Sequence, residues 1–156
     1  IGDEYLMPRF FMFRDKRLSY FMIGAELGVS TGGFSVLASG HYYNYSSKDL
    51  EHAIWRPSFD ASVQFKYNYN SKLFLRAGAE FIGPRYFAVV SGYSNQPIEY
   101  AKYKADFNVT AGVDYFVNPK FGIFVEGNNL ANRKLYRFAH YPGQGASVSG
   151  GVKLKF

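Results

Sequence analysis

Cysteine is absent from the chain, which excludes disulfides, thiolate metal centres and cysteine nucleophiles. Long apolar runs are missing too: the stretch from Tyr20 to Ala25 falls far short of the ~20 residues that a membrane-crossing helix needs. If this chain spans a bilayer, it does so with strands. No cationic segment followed by an apolar one opens the sequence, which begins at Ile1, so it reads as a processed chain or a fragment. Histidine is scarce, and His41, His52 and His140 lie on separate segments without ligand spacing, so no metal site is expected. There is no Gly-x-Ser-x-Gly elbow, phosphate-cradling loop or dinucleotide fingerprint. Ser46, Ser47 and His52 share one loop, but nothing arranges them as a catalytic set. Neither an enzyme nor a bound cofactor is expected.

What the chain has is aromatic surface. Its 156 residues, enough for a single β-barrel domain or barrel segment, hold 14 Tyr and 16 Phe against one Trp. The basic residues behind the net charge of +6 are scattered and fall largely in predicted loops, among them Arg14, Lys16, Arg17, Lys48, Arg85, Lys102, Lys104, Arg133, Lys134 and Arg137. Without a basic stripe, nucleic acid is not an expected partner; anionic lipopolysaccharide suits scattered loop cations equally well.

Period-two alternation dominates and is clearest from Ala53 to Tyr69. One face carries Ala53, Trp55, Pro57, Phe59, Ala61, Val63, Phe65, Tyr67 and Tyr69; the other carries Arg56, Ser58, Asp60, Ser62, Gln64, Lys66 and Asn68, with Ile54 the one lapse. The pattern predicts strands over about 5 to 13, 18 to 29, 34 to 45, 53 to 69, 72 to 83, 102 to 117, 120 to 137 and 145 to 156. Tight turns at Ser30 to Gly33, Asn70 to Lys72 and Asn118 to Lys120 alternate with longer loops at Ser46 to His52, Gly83 to Tyr103 and about Phe138 to Gly145. Short turns on one side and long loops on the other characterise outer-membrane barrels, with the short turns periplasmic. The expected fold is therefore all-β, an antiparallel up-and-down transmembrane β-barrel with eight strands in this chain. A soluble, lipocalin-like ligand-binding barrel also alternates, with its apolar face inside.

The run Asn118 to Tyr136, with Asn129-Leu130-Ala131-Asn132 and Tyr136, then His140-Tyr141-Pro142-Gly143 and the terminal Val152-Lys153-Leu154-Lys155-Phe156, resembles the closing hairpin of TonB-dependent outer-membrane receptors. Ile82-Gly83-Pro84-Arg85-Tyr86 is similar to a strand exit of that family, especially of Bacteroidetes-type receptors. The resemblance is close over about residues 72 to 156; Leu135 departs from it, standing where the family often has an aromatic. It implies a C-terminal part of a barrel of roughly 22 strands, nutrient uptake of siderophore, cobalamin or glycan class, residence in the bacterial outer membrane, and contact with TonB only through parts this chain lacks. A small self-contained eight-stranded barrel with a structural or adhesion role is the alternative.

Four groups of residues carry candidate roles. Val152, Leu154 and Phe156 resemble the signal that the barrel-assembly machinery reads on a last strand, and also fit an ordinary lipid-facing strand end. Asn129, Leu130, Asn132 and Tyr136 form the family motif, and asparagines in a strand read foremost as satisfying backbone groups at a bend. Asp60, Arg76, Glu80 and Glu126 are candidates for an ion-pair network in the lumen. Tyr86, Tyr93, Tyr100 and Tyr103 form a loop placed to stack on a sugar or apolar ligand, or to pack as an interfacial girdle.

Overall fold

The computed structural model describes residues 17–89, 99–138 and 141–155. Its regular elements are all strands: β1 (Leu18–Thr31), β2 (Phe34–Ser47), β3 (Phe59–Tyr69), β4 (Leu73–Ile82), β5 (Arg85–Val89), β6 (Glu99–Tyr103), β7 (Asp106–Asn118), β8 (Phe121–Asn128), β9 (Tyr136–Phe138), β10 (Tyr141–Pro142) and β11 (Ser147–Leu154). Seven of these form one sheet in the order β1-β2-β3-β4-β7-β8-β11, every neighbour antiparallel. This is an up-and-down meander. The small hairpins β5–β6 and β9–β10 are inserted into two of its connections, and β1 and β11 are the sheet's edges among the described residues.

Turn chemistry explains why one end of the sheet is tight. Gly32 and Gly33, with φ of 54° and 84°, take the two-residue hairpin geometry that matches strand twist. Asn70 and Ser71 also hold positive φ, and Asn68 Oδ1 accepts the Ser71 N–H at 3.0 Å. In the third turn Asn118 Oδ1 accepts the N–H groups of Lys120 and Phe121, both at 2.9 Å. The Lys120 carbonyl accepts the Lys155 N–H at 2.9 Å, so β11 ends at this same side.

The register makes one face continuously apolar. Ala25, Leu27 and Val29 of β1 lie beside Gly40, Ala38 and Val36; these adjoin Ala61, Val63 and Phe65, then Phe81, Ala79 and Ala77, then Phe107, Val109 and Ala111. Val125 and Ile123 beside Val113 and Tyr115, with Val152 beyond Ile123, complete it. Aromatics gather at its two margins: Tyr42, Phe59, Phe81 and Phe107 toward the loops, Phe34, Tyr67, Tyr69 and Tyr115 toward the turns. The 11 residues from Phe59 to Tyr69 rise about 33 Å, and a strand tilt of about 40° makes that about 25 Å of bilayer thickness.

Burial is inverted relative to a soluble protein. No hydrophobic residue is buried among those described, whereas Arg85, Asp106, Asp114 and Asn129 are, and Leu27 and Val148 are 75% and 73% exposed. Along β7, Asp106, Gly112 and Asp114 are buried while Phe107, Ala111, Val113, Tyr115 and Val117 are exposed. Side chains shelter one another on the inside of a bend and splay on the outside, so the polar face is concave and the apolar face convex.

Several strand boundaries differ from the expectation. The strand expected over 53 to 69 begins at Phe59, because Trp55 takes φ 61° and turns the backbone where the alternation ran on. The strand expected over 120 to 137 stops at Asn128, where Asn129 and Asn132 adopt positive φ. The loop expected over Gly83 to Tyr103 carries its own hairpin, β5–β6. The strand expected over 5 to 13 lies outside the described residues.

Candidate functional site on a polar concave face and an aromatic loop end

On the concave face, charges meet across the sheet, in two of three pairs over an intervening strand. Arg76 on β4 reaches Asp114 on β7 at 3.3 Å and Glu126 on β8 at 3.6 Å, and Lys153 on β11 reaches Asp114 at 2.7 Å. Gly112 lets the Arg76 side chain cross β7, since a Cβ there would lie 3.2 Å from Nη2. Two cations and two carboxylates thus tie four strands into a neutral group. Asp114 is its hub, shielded, while Arg76 and Lys153 stay partly open. Nearer the loops, His41 Nδ1 pairs with Asp60 Oδ1 at 2.8 Å, and Ser39 and Ser62 share a hydrogen bond of 2.8 Å.

Of the four charges expected to form a lumenal network, Arg76 and Glu126 come together. Asp60 instead pairs with His41, and Glu80, in register between Ser62 and Asn108, has no ion pair among the described residues. Asp114 and Lys153 were missed, because on an alternating polar face they look like any solvated residue.

The Asn motif builds a knot at the loop end of β8. Asn129, 4% exposed, donates through Nδ2 to the carbonyls of Arg133 (2.7 Å) and Gln144 (3.1 Å) and accepts the Arg133 N–H on Oδ1 at 3.0 Å. Asn132 Oδ1 accepts the Ala146 N–H at 3.1 Å. The Leu130 N–H donates to the Val109 carbonyl at 2.9 Å, and the Leu130 side chain packs on Gly127, where a Cβ would approach it to 2.6 Å. Arg133 then reaches Asp106 at 3.4 Å. Two asparagines therefore close a bend that asparagine tolerates better than other residues, because its side chain supplies local hydrogen bonds in left-handed backbone.

Three loops meet in an aromatic cluster at the same end. Trp55 packs edge-on to Phe87 and Tyr103, and Tyr103 packs on Tyr136 with centroids 4.8 Å apart. The Arg85 guanidinium lies 4.7 Å from the Trp55 ring and donates to the Tyr136 carbonyl at 3.3 Å. His52 stacks on Tyr86 at 3.9 Å and meets Tyr100 edge-on, while the Tyr100 hydroxyl accepts the Glu51 N–H at 3.2 Å. Desolvation within the cluster, then the neighbouring Tyr136 hydroxyl, raises the Tyr103 phenol above its ordinary range, against the opposing pull of Arg85. Tyr86, Tyr100 and Tyr103 thus sit at one end of the sheet, joined by His52, Trp55 and Arg85, which the sequence reading did not place with them; Tyr93 lies outside the described residues.

No protein-family model matches the chain, and neither does any curated protein sequence. Solved structures do match. The ferripyoverdine receptor of the outer membrane of Pseudomonas aeruginosa, bound to ferripyoverdine, superposes with a TM-score of 0.75 at 16% identity over 89% of this chain and 20% of that one. FpvAI in complex with pyocin S2 gives 0.77 at 18% identity over 89% and 20%. The siderophore receptor PirA from Acinetobacter baumannii gives 0.73 at 18% identity over 85% and 21%. The fold is that of part of an outer-membrane β-barrel. The chain spans about a fifth of the length of these receptors. In that fold the convex apolar face is the lipid side and the concave charged face is the lumen side.

Of the residues likened to an assembly signal, Val152 and Leu154 are exposed on the convex face of β11; Phe156 lies outside the described residues.

Proposed function

We propose that this chain is the C-terminal wall of a TonB-dependent receptor of the bacterial outer membrane, which takes up a scarce nutrient of siderophore, cobalamin or glycan class. The observation that carries the reading is the inverted sheet: seven meandering strands whose apolar face is open and whose only buried residues beyond glycine, among those described, are the carboxylates Asp106 and Asp114. Water opposes such a face and a bilayer favours it, because each exposed Leu or Val contributes roughly 1.5–3 kcal/mol on transfer out of water. The similarity to siderophore receptors supports the siderophore class first. The Gly83-Pro84-Arg85-Tyr86 exit supports kinship with Bacteroidetes-type receptors.

In this reading the aromatic loop end faces the outside and is placed to stack on a ligand, loop cations such as Lys48 and Lys134 meet lipopolysaccharide, and the lumenal ion group holds the wall in register. Val152, Leu154 and Phe156 guide insertion by the barrel-assembly machinery. TonB contacts other segments of the receptor, and the chain performs no catalysis.

Fractionated outer membranes, probed with an antibody against the segment from Tyr86 to Tyr103, test the proposal. A detergent-requiring band several times heavier than this chain is expected, together with loss of iron-siderophore uptake when the gene is deleted. A band near 17.7 kDa would replace the receptor with a small self-contained barrel. A species soluble without detergent would remove the membrane reading.

A further inference from the structure

The concave face is not polar throughout. At its turn end Phe74 and Phe124 flank Asp114 in register, and Phe116 lies beside Gly122. Phe74 and Phe116 meet edge-on with centroids 5.7 Å apart. Two glycines make room for these rings: a Cβ at Gly122 would lie 2.7 Å from the Phe116 ring, and one at Gly151 2.8 Å from the Phe124 ring. All three phenylalanines are half-buried, so each keeps apolar surface open to the concave side, where a cover that removes it from water is favoured.

The same end is basic. Toward the loops the concave face carries Asp60 and Glu80; past the other end of the strands it continues into Lys72, Lys120 and Lys155, which alternate with Phe74, Gly122 and Lys153. The Lys72 carbonyl accepts the Phe116 N–H at 2.8 Å and the Lys120 carbonyl accepts the Lys155 N–H at 2.9 Å, so the three lysines keep the sheet's register. All are exposed, and none has an ion pair among the described residues. Asp114 is already shared by Arg76 and Lys153. From β4 to β11 is three strand spacings, about 14 Å; a single small anion does not bridge that row, whereas a polypeptide lying across it does.

We infer that Phe74, Phe116 and Phe124, rimmed by Lys72, Lys120 and Lys155, dock an acidic polypeptide segment, whose apolar side chains cover the rings and whose carboxylates pair with the lysines. The segment belongs to the receptor's own polypeptide, outside these 156 residues. The row lies on the inner wall, and this chain spans about a fifth of the receptors it resembles. A tethered segment also meets its site at high effective concentration, which suits exposed ion pairs worth up to about fivefold each. The inference rests on the receptor reading above.

The full-length receptor, purified in mild detergent, is treated with a carbodiimide, which condenses a lysine amine with a carboxylate in contact with it, and the joined peptides are read by mass spectrometry. Lys72, Lys120 and Lys155 are expected to join Asp or Glu residues of one segment outside this chain, with apolar residues between them, and salt lowers the yield. K72Q/K120Q lowers the yield at Lys155 severalfold, whereas K72R/K120R, which keeps the charge, maintains it. Lysines that join no carboxylate outside this chain in the wild-type protein overturn the inference, with no variant needed, and leave the membrane reading in place. Joining to a second protein in whole cells, but to nothing in the purified receptor, also overturns it, in favour of a separate partner. A detergent-requiring protein near 17.7 kDa removes the inference together with the receptor reading.

Discussion

Asn129 offers the sharpest test of how a short sequence motif becomes structure. In Asn129→Ala the part-buried Arg133 N–H loses its acceptor, and a donor orphaned there costs about 1–3 kcal/mol. The carbonyls of Arg133 and Gln144 lose their shared donor, about 1 kcal/mol more. Alanine must also hold the φ of 50°, another 1 kcal/mol or so. The sum is a loss of about 3–5 kcal/mol, which at an m-value of about 2.5 kcal/mol/M lowers the urea midpoint by about 1–2 M. The assay is urea unfolding of the full-length protein in detergent micelles, followed by β-sheet circular dichroism and by the gel shift between folded and heated barrel. Asn129→Gly separates the causes: it relieves the backbone but restores no hydrogen bond, so it falls between wild type and alanine. A glycine variant as stable as wild type refutes the hydrogen-bond account. Equal losses for glycine and alanine refute the backbone share.

Ala111→Arg places a charge in the middle of the convex face and is expected to cost about 2–4 kcal/mol, whereas Gln64→Arg on the concave face costs less than about 1 kcal/mol; the same urea assay reads both. Asp114→Asn leaves Arg76 and Lys153 without the carboxylate they share, and because both cations are partly open the penalty falls to about 1–2 kcal/mol, visible as a lower midpoint that added salt diminishes. Trp55→Ala removes the ring that Arg85, Phe87 and Tyr103 pack on; limited proteolysis of the loop segments is expected to accelerate with little change in the midpoint of the sheet. The raised Tyr103 phenol stays protonated beyond its unfolded value, so the native state binds more protons than the unfolded one once pH passes that value. The contribution is therefore complete below about pH 10 and lost as pH climbs through the folded value; an ultraviolet titration of wild type against Tyr103→Phe isolates the late-titrating phenol.

How much of this was legible in the sequence follows from the range of the interactions. Alternation is a property of adjacent residues, so β2, β3, β4 and β7 and the apolar stripe they share were readable from Phe34 to Val117 without a partner in view. Turn chemistry is equally local: Gly32-Gly33 and Asn118-Pro119-Lys120 announce themselves. The ion group is not local. Arg76 and Asp114 are 38 residues apart and Lys153 another 39 away, and the pairing depends on Gly112 lying where Arg76 must cross. Asp60 was grouped with Arg76 by charge alone, while the register sends it to His41.

Trp55 shows the opposite failure, in which a local signal misleads. Ala53, Trp55 and Pro57 continue the apolar side of the β3 alternation, with Ile54 its one lapse, yet Pro57 has no N–H to give to a ladder, and Trp55 leaves the strand path at positive φ. The ring gains its partners only because β5 and β6 fold back beside it, and the Trp55 N–H finds the Tyr86 carbonyl of β5 at 2.7 Å instead of a strand of the main sheet. A tryptophan that alternates correctly but precedes a proline by two residues is thus as consistent with a loop anchor as with a lipid-facing strand, and the arginine of the next loop decides between them. Here Arg85 is 8% exposed; an aromatic face and a carbonyl replace part of its water, while its Nε is buried without a hydrogen-bond partner among the described residues. The convex apolar face is therefore written in single strands, whereas the aromatic loop end is written in pairs of loops.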